Sequence, residues 1–298
     1  MRQDLIVLLA QMDKSENPVP SEVISCPCCH SQIYKAWGEE LGFCVVRCAA
    51  CQLLYVNPRP SQSHIEQSVR TGEHTLGLSK LNVRSRRDSR KIGLYRLVLG
   101  KIFGDIFNAN APITWVDVGS GYGELLEVVA LLAPKGSEVI GVEPMAHKAN
   151  SAAERGLAVV NSYLQKGQFK ANVISVVDIF SHIPDFHLFL RIAATNLIKN
   201  GELFVETGNL ADLTRREEFP GELGLPDHLV FAGEKQLLKY LNDAGFDIVS
   251  ISRVRIDGAI NLLKNFAKIV IGRPVKLGVP YTSKYRQLRV RARLRLAD

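Results

Sequence analysis

From Ile113 onward the chain alternates short, nearly continuous apolar runs with segments whose apolar residues recur every three or four positions. "ITWVDVG", "EVIGVEP", "LAVVNS", "NVISVVDIF", "GELFVETGN" and "FDIVSISR" read as strands, with "ELLEVVALLA", "AHKANSAAERG", "FHLFLRIAATNLI" and "EKQLLKYLNDAG" as helices between them. Apolar runs without polar alternation belong to strands covered on both faces, so the pattern predicts a parallel sheet with helices on either side. In such a sheet ligands sit beyond the carboxyl ends of the strands.

Before Ile113 the pattern differs. Residues 1 to 20 read as a short helix and a proline-punctuated connection, "SENPVP". The stretch "CPCCHSQIYKAWGEELGFCVVRCAACQLLYVNPRP" is dense in cysteine, strand formers and turn residues and reads as a separate small module. After it, the Ser63 to Glu66 spacing predicts a capping box opening a helix, polar and basic sequence runs to about Gly93, and "LYRLVLGKIF" regains helical spacing. The predicted organisation is an N-terminal segment (1–25), a cysteine module (26–58), a helical linker or cap (59–110), a Rossmann-like α/β domain (111–256) and a basic C-terminal segment (257–298). In that last segment "INLLKNFAKIVIG" places Leu262, Phe266, Ile269 and Val270 on one helical face with Lys264 and Lys268 elsewhere, a helix of the kind that can lie on a membrane surface. "RVRARLRL" predicts a strand whose apolar side packs while Arg289, Arg291, Arg293 and Arg295 face solvent or phosphate. Solvated basic faces are the plainer reading of both.

Composition narrows the class. The 298 residues are 46% hydrophobic, enough for one large core or two smaller ones, and no apolar run reaches the roughly 18 residues of a membrane span. The opening "LIVLLA" is too short for an export signal, so a cytoplasmic protein is expected. Six cysteines, four of them in two C-x-x-C pairs, suit a reducing compartment and a metal better than a disulfide framework. The net charge of +7 is uneven, because residues 253–298 hold 12 Lys/Arg against 2 Asp/Glu. A basic end of this kind can meet phosphates, nucleic acid or anionic lipid.

The candidate chemistry starts at "WVDVGSGYGELLEVV". Gly119, Gly121 and Gly123 would let the backbone turn sharply from strand to helix and approach a ligand, with the helix N-terminus favouring an anion. A dinucleotide fingerprint would put a third glycine at 124, where Glu124 stands close to where a pyrophosphate must lie, which disfavours NAD and FAD. Glu143 closes the second strand and could accept hydrogen bonds from both hydroxyls of a ribose. One modest anion plus a nucleoside fits S-adenosylmethionine. Through "VDVGSGYGE", "VIGVEP", "VVDIFSHIPD" and "IKNGELFVETGN" the chain resembles the class I S-adenosylmethionine-dependent methyltransferases over roughly residues 113 to 252. The resemblance implies that Asp117, Gly119, Gly121, Gly123 and Glu143 contact the cofactor, Asp117 nearest its methionine end, with Tyr122 and Met145 flanking the pocket. That family's acid after the third strand is replaced here by Asn161 and Ser162.

Cys26 and Cys29, followed after 18 residues by Cys48 and Cys51, fit the template for two zinc knuckles around one tetrahedral ion. Four thiolates close the coordination shell, so this zinc would be structural. Cys28 and Cys44 are left over, and His30 is a possible substitute ligand. The module, through "CAACQLLYVNPRP", is similar to the N-terminal zinc-binding region of a group of bacterial methyltransferases that includes sugar C-methyltransferases. That implies a small-molecule acceptor, with a nucleotide-linked sugar among the candidates.

Methyl transfer is an in-line displacement, so the protein must align a nucleophile, exclude water and supply a base where the nucleophile carries a proton. His182, after the fourth strand, and His228, in "LPDHLVF" after the fifth, both fall near the active-site edge and titrate near neutrality. "PDHLVFAGEKQLLKYLNDAGF" resembles the acceptor-side segment of the sugar C-methyltransferases, which favours His228. Where that group carries a His/Glu/His and Tyr pattern, this chain offers Asp227, His228 and Phe231, which leaves the methylated atom open. Glu206 and Thr207 are further acceptor-side candidates, more often loop-fixing than catalytic. The reading is therefore a zinc-module methyltransferase acting on a small molecule. The alternatives are an RNA base methyltransferase gripping phosphates with module and tail, which the missing aromatic platforms disfavour, or a non-catalytic scaffold that keeps the cofactor fold.

Overall fold

The computed structural model describes residues 19–76, 79–82, 86–219, 221–255, 266–267, 269–272 and 284–295. The cysteine-rich segment folds as short strands: β1 (Ser21–Glu22), β2 (Tyr34–Glu40), β3 (Phe43–Cys48), β4 (Leu54–Val56) and β5 (Arg59–Pro60). β2, β3 and β4 form an antiparallel meander, and β1 pairs with β5. The β2–β3 turn places Leu41 and Gly42 both at positive φ, the geometry whose twist matches a two-residue hairpin.

In the linker, α1 (Gln62–Thr71) starts earlier than the Ser63–Glu66 capping box predicts. Its cap is Ser61, whose Oγ accepts from His64 N, and Glu66 instead takes a bond from Gln62. Polar sequence hid a hairpin here, β6 (Glu73–Leu76) with β7 (Ser79–Asn82), so the linker is not purely helical. Then come α2 (Arg90–Ile102) and α3 (Gly104–Phe107). Leu99 and Phe103 of this pair pack on Trp115, Val173 and Phe204 and thus cover one face of the central sheet beside α4 (Glu124–Leu132).

That sheet alternates β8 (Thr114–Val118), α4, β9 (Glu138–Val142), α5 (Ala146–Ala153), β10 (Ala158–Val160), β11 (Ala171–Val177), α6 (Phe186–Asn196) and β12 (Leu197–Gly208). After β13 (Val230–Phe231) and α7 (Glu234–Asp243) come β14 (Phe246–Arg255) and β15 (Arg286–Leu294). The seven strands lie in the order β10-β9-β8-β11-β12-β15-β14, and β15 runs antiparallel to both its neighbours. β13 leaves this sheet and pairs with β4, becoming the fourth strand of the cysteine module.

β15 corrects two expectations. The segment 257–298 is not separate from the α/β domain, because its strand is inserted between β12 and β14. Nor do its arginines all face outward: Arg289 and Arg291 are buried, bonded to Glu206 and Glu202 of β12, and Arg291 also reaches Asp105 at 2.7 Å. The alternation presumed one wet face, whereas helices cover both faces of an interior strand. A cation there needs a carboxylate opposite it. Arg293 and Arg295, nearer the strand's end, remain half-exposed and pair with Glu202 and Asp247. Of the tail helix predicted before it, Leu262, Lys264 and Lys268 lie outside the described residues, while Phe266, Ile269 and Val270 are exposed. Among the described residues no helix is long and apolar enough to cross a membrane.

Candidate active site

The turn after β8 holds Gly119, Gly121 and Gly123 at φ of 70°, 56° and 83°. A Cβ at Gly119 would stand 2.6 Å from Ile179 and one at Gly123 would collide with Leu157, whereas one at Gly121 would meet nothing within 4 Å. Two of the glycines therefore let the turn pack closely, and the middle one faces open space ahead of the N-terminus of α4. Glu143, directly after β9 and 6% exposed, accepts from Gly121 N at 2.8 Å and Met145 N at 2.9 Å. Each of its oxygens keeps a further lone-pair site for a ligand hydroxyl. Tyr122 and Met145 are buried beside the turn, and the Tyr122 ring meets His147 edge-on at 6.0 Å.

Asp117 lies beneath the turn and points along the sheet. It accepts from Ser175 Oγ of β11 at 2.6 Å, and Ser175 in turn takes a bond from Trp115 Nε1 at 2.9 Å. Burial pushes the Asp117 carboxyl up to about 7, and the charges of Glu143 and Glu124 push the same way against the Ser175 bond. Beyond β10, Asn161 Nδ2 donates to the Glu143 carbonyl at 2.8 Å. The Oγ atoms of Ser120 and Ser162 are buried without a partner. Orphaned buried hydroxyls around an anion-favouring turn fit a polar ligand that completes them.

At the carboxyl ends of β11 and β12 the structure brings His182 and His228 together, their rings 4.7 Å apart. One side-chain donor or acceptor atom from each of His182, Asp227 and His228 lies within 4.8 Å of the others. His182 Nδ1 is 3.0 Å from the Asp227 carbonyl and 3.4 Å from its carboxylate, both acceptors, so Nδ1 carries the proton. Burial works against a charged His182, but Asp227 outweighs it and holds the ring's pKa above the ordinary value. His228 is displaced the other way, pushed down by burial and by the neighbouring His182 charge. Burial also opposes ionisation of Asp227, yet its bonds with His182 and His74 hold the carboxyl well below the usual range. The two adjacent imidazoles thus have pKa values driven apart, the pattern that suits one to hold a proton and the other to take one.

His228 also lines a cavity of about 100 Å³ with Ser181, Thr207, Phe219, Phe231 and Tyr285. This is below the roughly 300 Å³ of a ligand-sized cleft, so it suits the reacting end of an acceptor. Glu206 is turned away from chemistry: Arg289 Nε at 2.5 Å and Gln287 Nε2 at 2.5 Å hold it. A larger cavity, about 340 Å³, lies between the end of α4 and the start of β9, on the opposite edge of the sheet from the glycine turn. Nothing in its lining offers a paired acid and base.

The four cysteines converge, their sulfurs within 4.8 Å of one another and the Cys26–Cys51 and Cys29–Cys48 pairs each at 3.5 Å. Cys51 N also points at Cys48 Sγ at 3.5 Å. The bond to Cys51 and burial push the Cys26 thiol up, while the bonds from Cys26 and Cys28 push Cys51 well down, so Cys51 is the thiolate that the neighbouring thiols donate to. The donor set fits a zinc ion. His30 stands outside it, exposed, stacked on His187 at 6.4 Å, and Cys28 offers His187 its carbonyl.

Residues 89–251, more than half of the chain, match the family described as "Methyltransferase domain". The chain belongs to the methyltransferase-domain family. The match runs from α2 into β14 and leaves out the cysteine module and β15. Among curated proteins this methyltransferase-domain chain is similar to the C-methyltransferase NovU of Streptomyces niveus, 26% identical over 151 residues, which is 48% of this chain but only 35% of that protein. Among solved structures it resembles geranyl diphosphate C-methyltransferase from Streptomyces coelicolor A3(2), at a TM-score of 0.51 and 13% identity, covering 66% of this chain and 75% of that one. It also resembles the mycolic acid cyclopropane synthase CmaA1, at 0.50 and 14%, covering 68% and 84%. At these identities the likeness is one of fold. His74, Ser175 and Glu40 escaped the sequence reading. The first two are lone polar residues in apolar or mixed runs, and their partners are 153 and 58 positions away.

Proposed function

We propose that this protein transfers a methyl group from S-adenosylmethionine to a small-molecule acceptor, with His228 as the base and His182, held by Asp227, as its acidic neighbour. The observation that carries the reading is the His182, Asp227 and His228 cluster beside an aromatic cavity, on the same strand-end edge as the glycine turn and Glu143. S-adenosylmethionine supplies a methyl group already activated on a sulfonium sulfur. The N-terminus of α4 faces its carboxylate, and Glu143 takes the ribose hydroxyls. Met145 and Tyr122 enclose it, and Ser120, Asn161 and Ser162 supply polar contacts in place of a third acid. Asp117 fixes the end of β8 from below, nearest the methionine end. His228 removes a proton from the acceptor as the methyl group arrives, while Phe219, Phe231 and Tyr285 exclude water.

Cys26, Cys29, Cys48 and Cys51 hold a structural zinc that leaves no coordination position for substrate. The similarity to C-methyltransferase NovU supports a carbon acceptor, and a nucleotide-linked sugar is the candidate class. The RNA reading loses ground, because Arg289 and Arg291 of the basic tail are committed to buried ion pairs. Turnover is tested by release of S-adenosylhomocysteine with nucleotide-linked sugars and, separately, with total RNA. Release with the sugars is expected, and release with RNA alone would move the function to nucleic acid.

A further inference from the structure

The Nδ1 atom of His228 lies 2.7 Å from the carbonyl oxygen of Leu223. A carbonyl only accepts, so Nδ1 donates and the neutral ring keeps its lone pair on Nε2. The same peptide unit that supplies this carbonyl supplies the N–H of Gly224, and that N–H donates to Glu40 Oε1 at 2.7 Å. Glu40 comes from the end of β2 in the cysteine module, 184 positions away. Its carboxylate also accepts from Leu223 N at 2.6 Å and Leu225 N at 3.0 Å. Three backbone donors on one carboxylate fix the loop that precedes Asp227 and His228. Gly224 sits at φ +75°, and a Cβ there would stand 3.0 Å from His228 Nδ1, so the peptide can lie directly against the ring.

We propose that Glu40 is a positioning residue for His228, acting through the Leu223–Gly224 peptide. A carboxylate bonded to the N–H of a peptide polarises it, making the carbonyl a stronger acceptor. The stronger acceptor fixes the Nδ1–H tautomer and raises the basicity of Nε2, much as a carboxylate does when it bonds a histidine directly. Here a peptide stands between the two groups. The inference rests on the reading of His228 as the base, and it adds a task for the cysteine module: that module supplies the charge behind the catalytic ring. The other groups around His228 are His182 on the turn after β11, Asp227 in its own loop, and Glu222 and Tyr285 in the cavity lining. Of the carboxylates, Glu40 is the one that bonds the peptide the ring leans on.

The test is nitrogen-15 NMR of the imidazoles in the full-length, metal-loaded protein, which carries seven histidines, with His228 assigned from its absence in H228Q. In the wild type His228 is expected as the Nδ1–H tautomer. In E40Q its titration midpoint is expected to fall by about one pH unit and its tautomer to become mixed, with metal content and melting temperature as in the wild type. E40D, which keeps the charge, is expected to restore most of both signatures. An unchanged midpoint and tautomer in folded E40Q would overturn the proposal. So would loss of the fold in both variants, which would make Glu40 a clamp for the loop and nothing more. The measurement uses no acceptor, so it stands apart from the base assignment, which fails separately if H228Q keeps full turnover.

Discussion

At the scale of single residues, the opposed displacement of two neighbouring histidines has a consequence in pH. His228 must be neutral to accept a proton, and its pKa lies below the ordinary 6.5, so activity should rise with pH on the acid side of that value. The His182 cation is held by Asp227 with a pKa above 6.5, so the acid partner should be lost, and activity fall, on the alkaline side. A bell with its limbs on either side of pH 6.5 is the expected kcat/KM profile, and Asp227→Asn should move the alkaline limb toward lower pH. Stability follows the same signs. His182's contribution is present below its unfolded pKa and disappears as pH rises through the raised one. Asp117 behaves likewise: with its carboxyl raised to about 7, its contribution to the cofactor-free fold is present below the ordinary carboxylate value and is lost as pH rises to about 7. Asp117→Asn should therefore flatten the pH dependence of melting between pH 4 and 8. A melt series that keeps the wild-type slope would contradict the assignment. Glu143→Ala should weaken S-adenosylmethionine roughly 10- to 100-fold, the size of one or two hydrogen bonds to a charged group, as read by calorimetry. The glycine turn and Glu143 were legible because their chemistry is written in local spacing. The partnership of His182 with Asp227 spans 45 positions and was visible in the fold alone.

At the scale of elements, β15 shows how far a local pattern carries. Alternating arginine and apolar residues correctly announce a strand, but they do not say whether a second layer covers the arginine side. Trp115, Val173 and Phe204 accept α2 and the Phe103 segment on that face, and Arg291 lies over the Phe103 ring at 4.7 Å. Glu202 and Glu206, four positions apart on β12 with three buried residues between them, meet those cations. Arg289→Met should leave Glu206 buried and uncompensated, a loss of about 3 kcal/mol in urea unfolding. Adding Glu206→Gln should return much of it, because the neutral amide no longer needs a counter-charge. Equal losses in the single and double variants would show that packing, rather than charge, sets the cost. The hairpin of β6 and β7 was hidden for a related reason: its two four-residue strands carry too few apolar positions to show a period, and its His74 is fixed by Asp227 from another part of the chain.

At the scale of the whole molecule, the cysteine module and the α/β domain share the acceptor loop. β13 pairs with β4, Gln236 donates to the Cys51 carbonyl, and His187 meets the carbonyl of Cys28. Chelation should release about one zinc per chain and also disturb the His228 environment. A folded preparation with no metal and an unchanged His228 signal would contradict both the zinc assignment and this coupling. The order of strands and helices made the domain readable from sequence, while the sharing of β13 was not, because a two-residue strand carries no periodicity. Every role assigned to the glycine turn, Glu143 and His228 depends on S-adenosylmethionine, and calorimetric titration of the metal-loaded chain with it is the decisive measurement. Saturable binding at one site per chain, weakened by Glu143→Ala, is the predicted result. Absence of binding by a folded, zinc-loaded protein would contradict the account and leave the glycine turn as a structural connection.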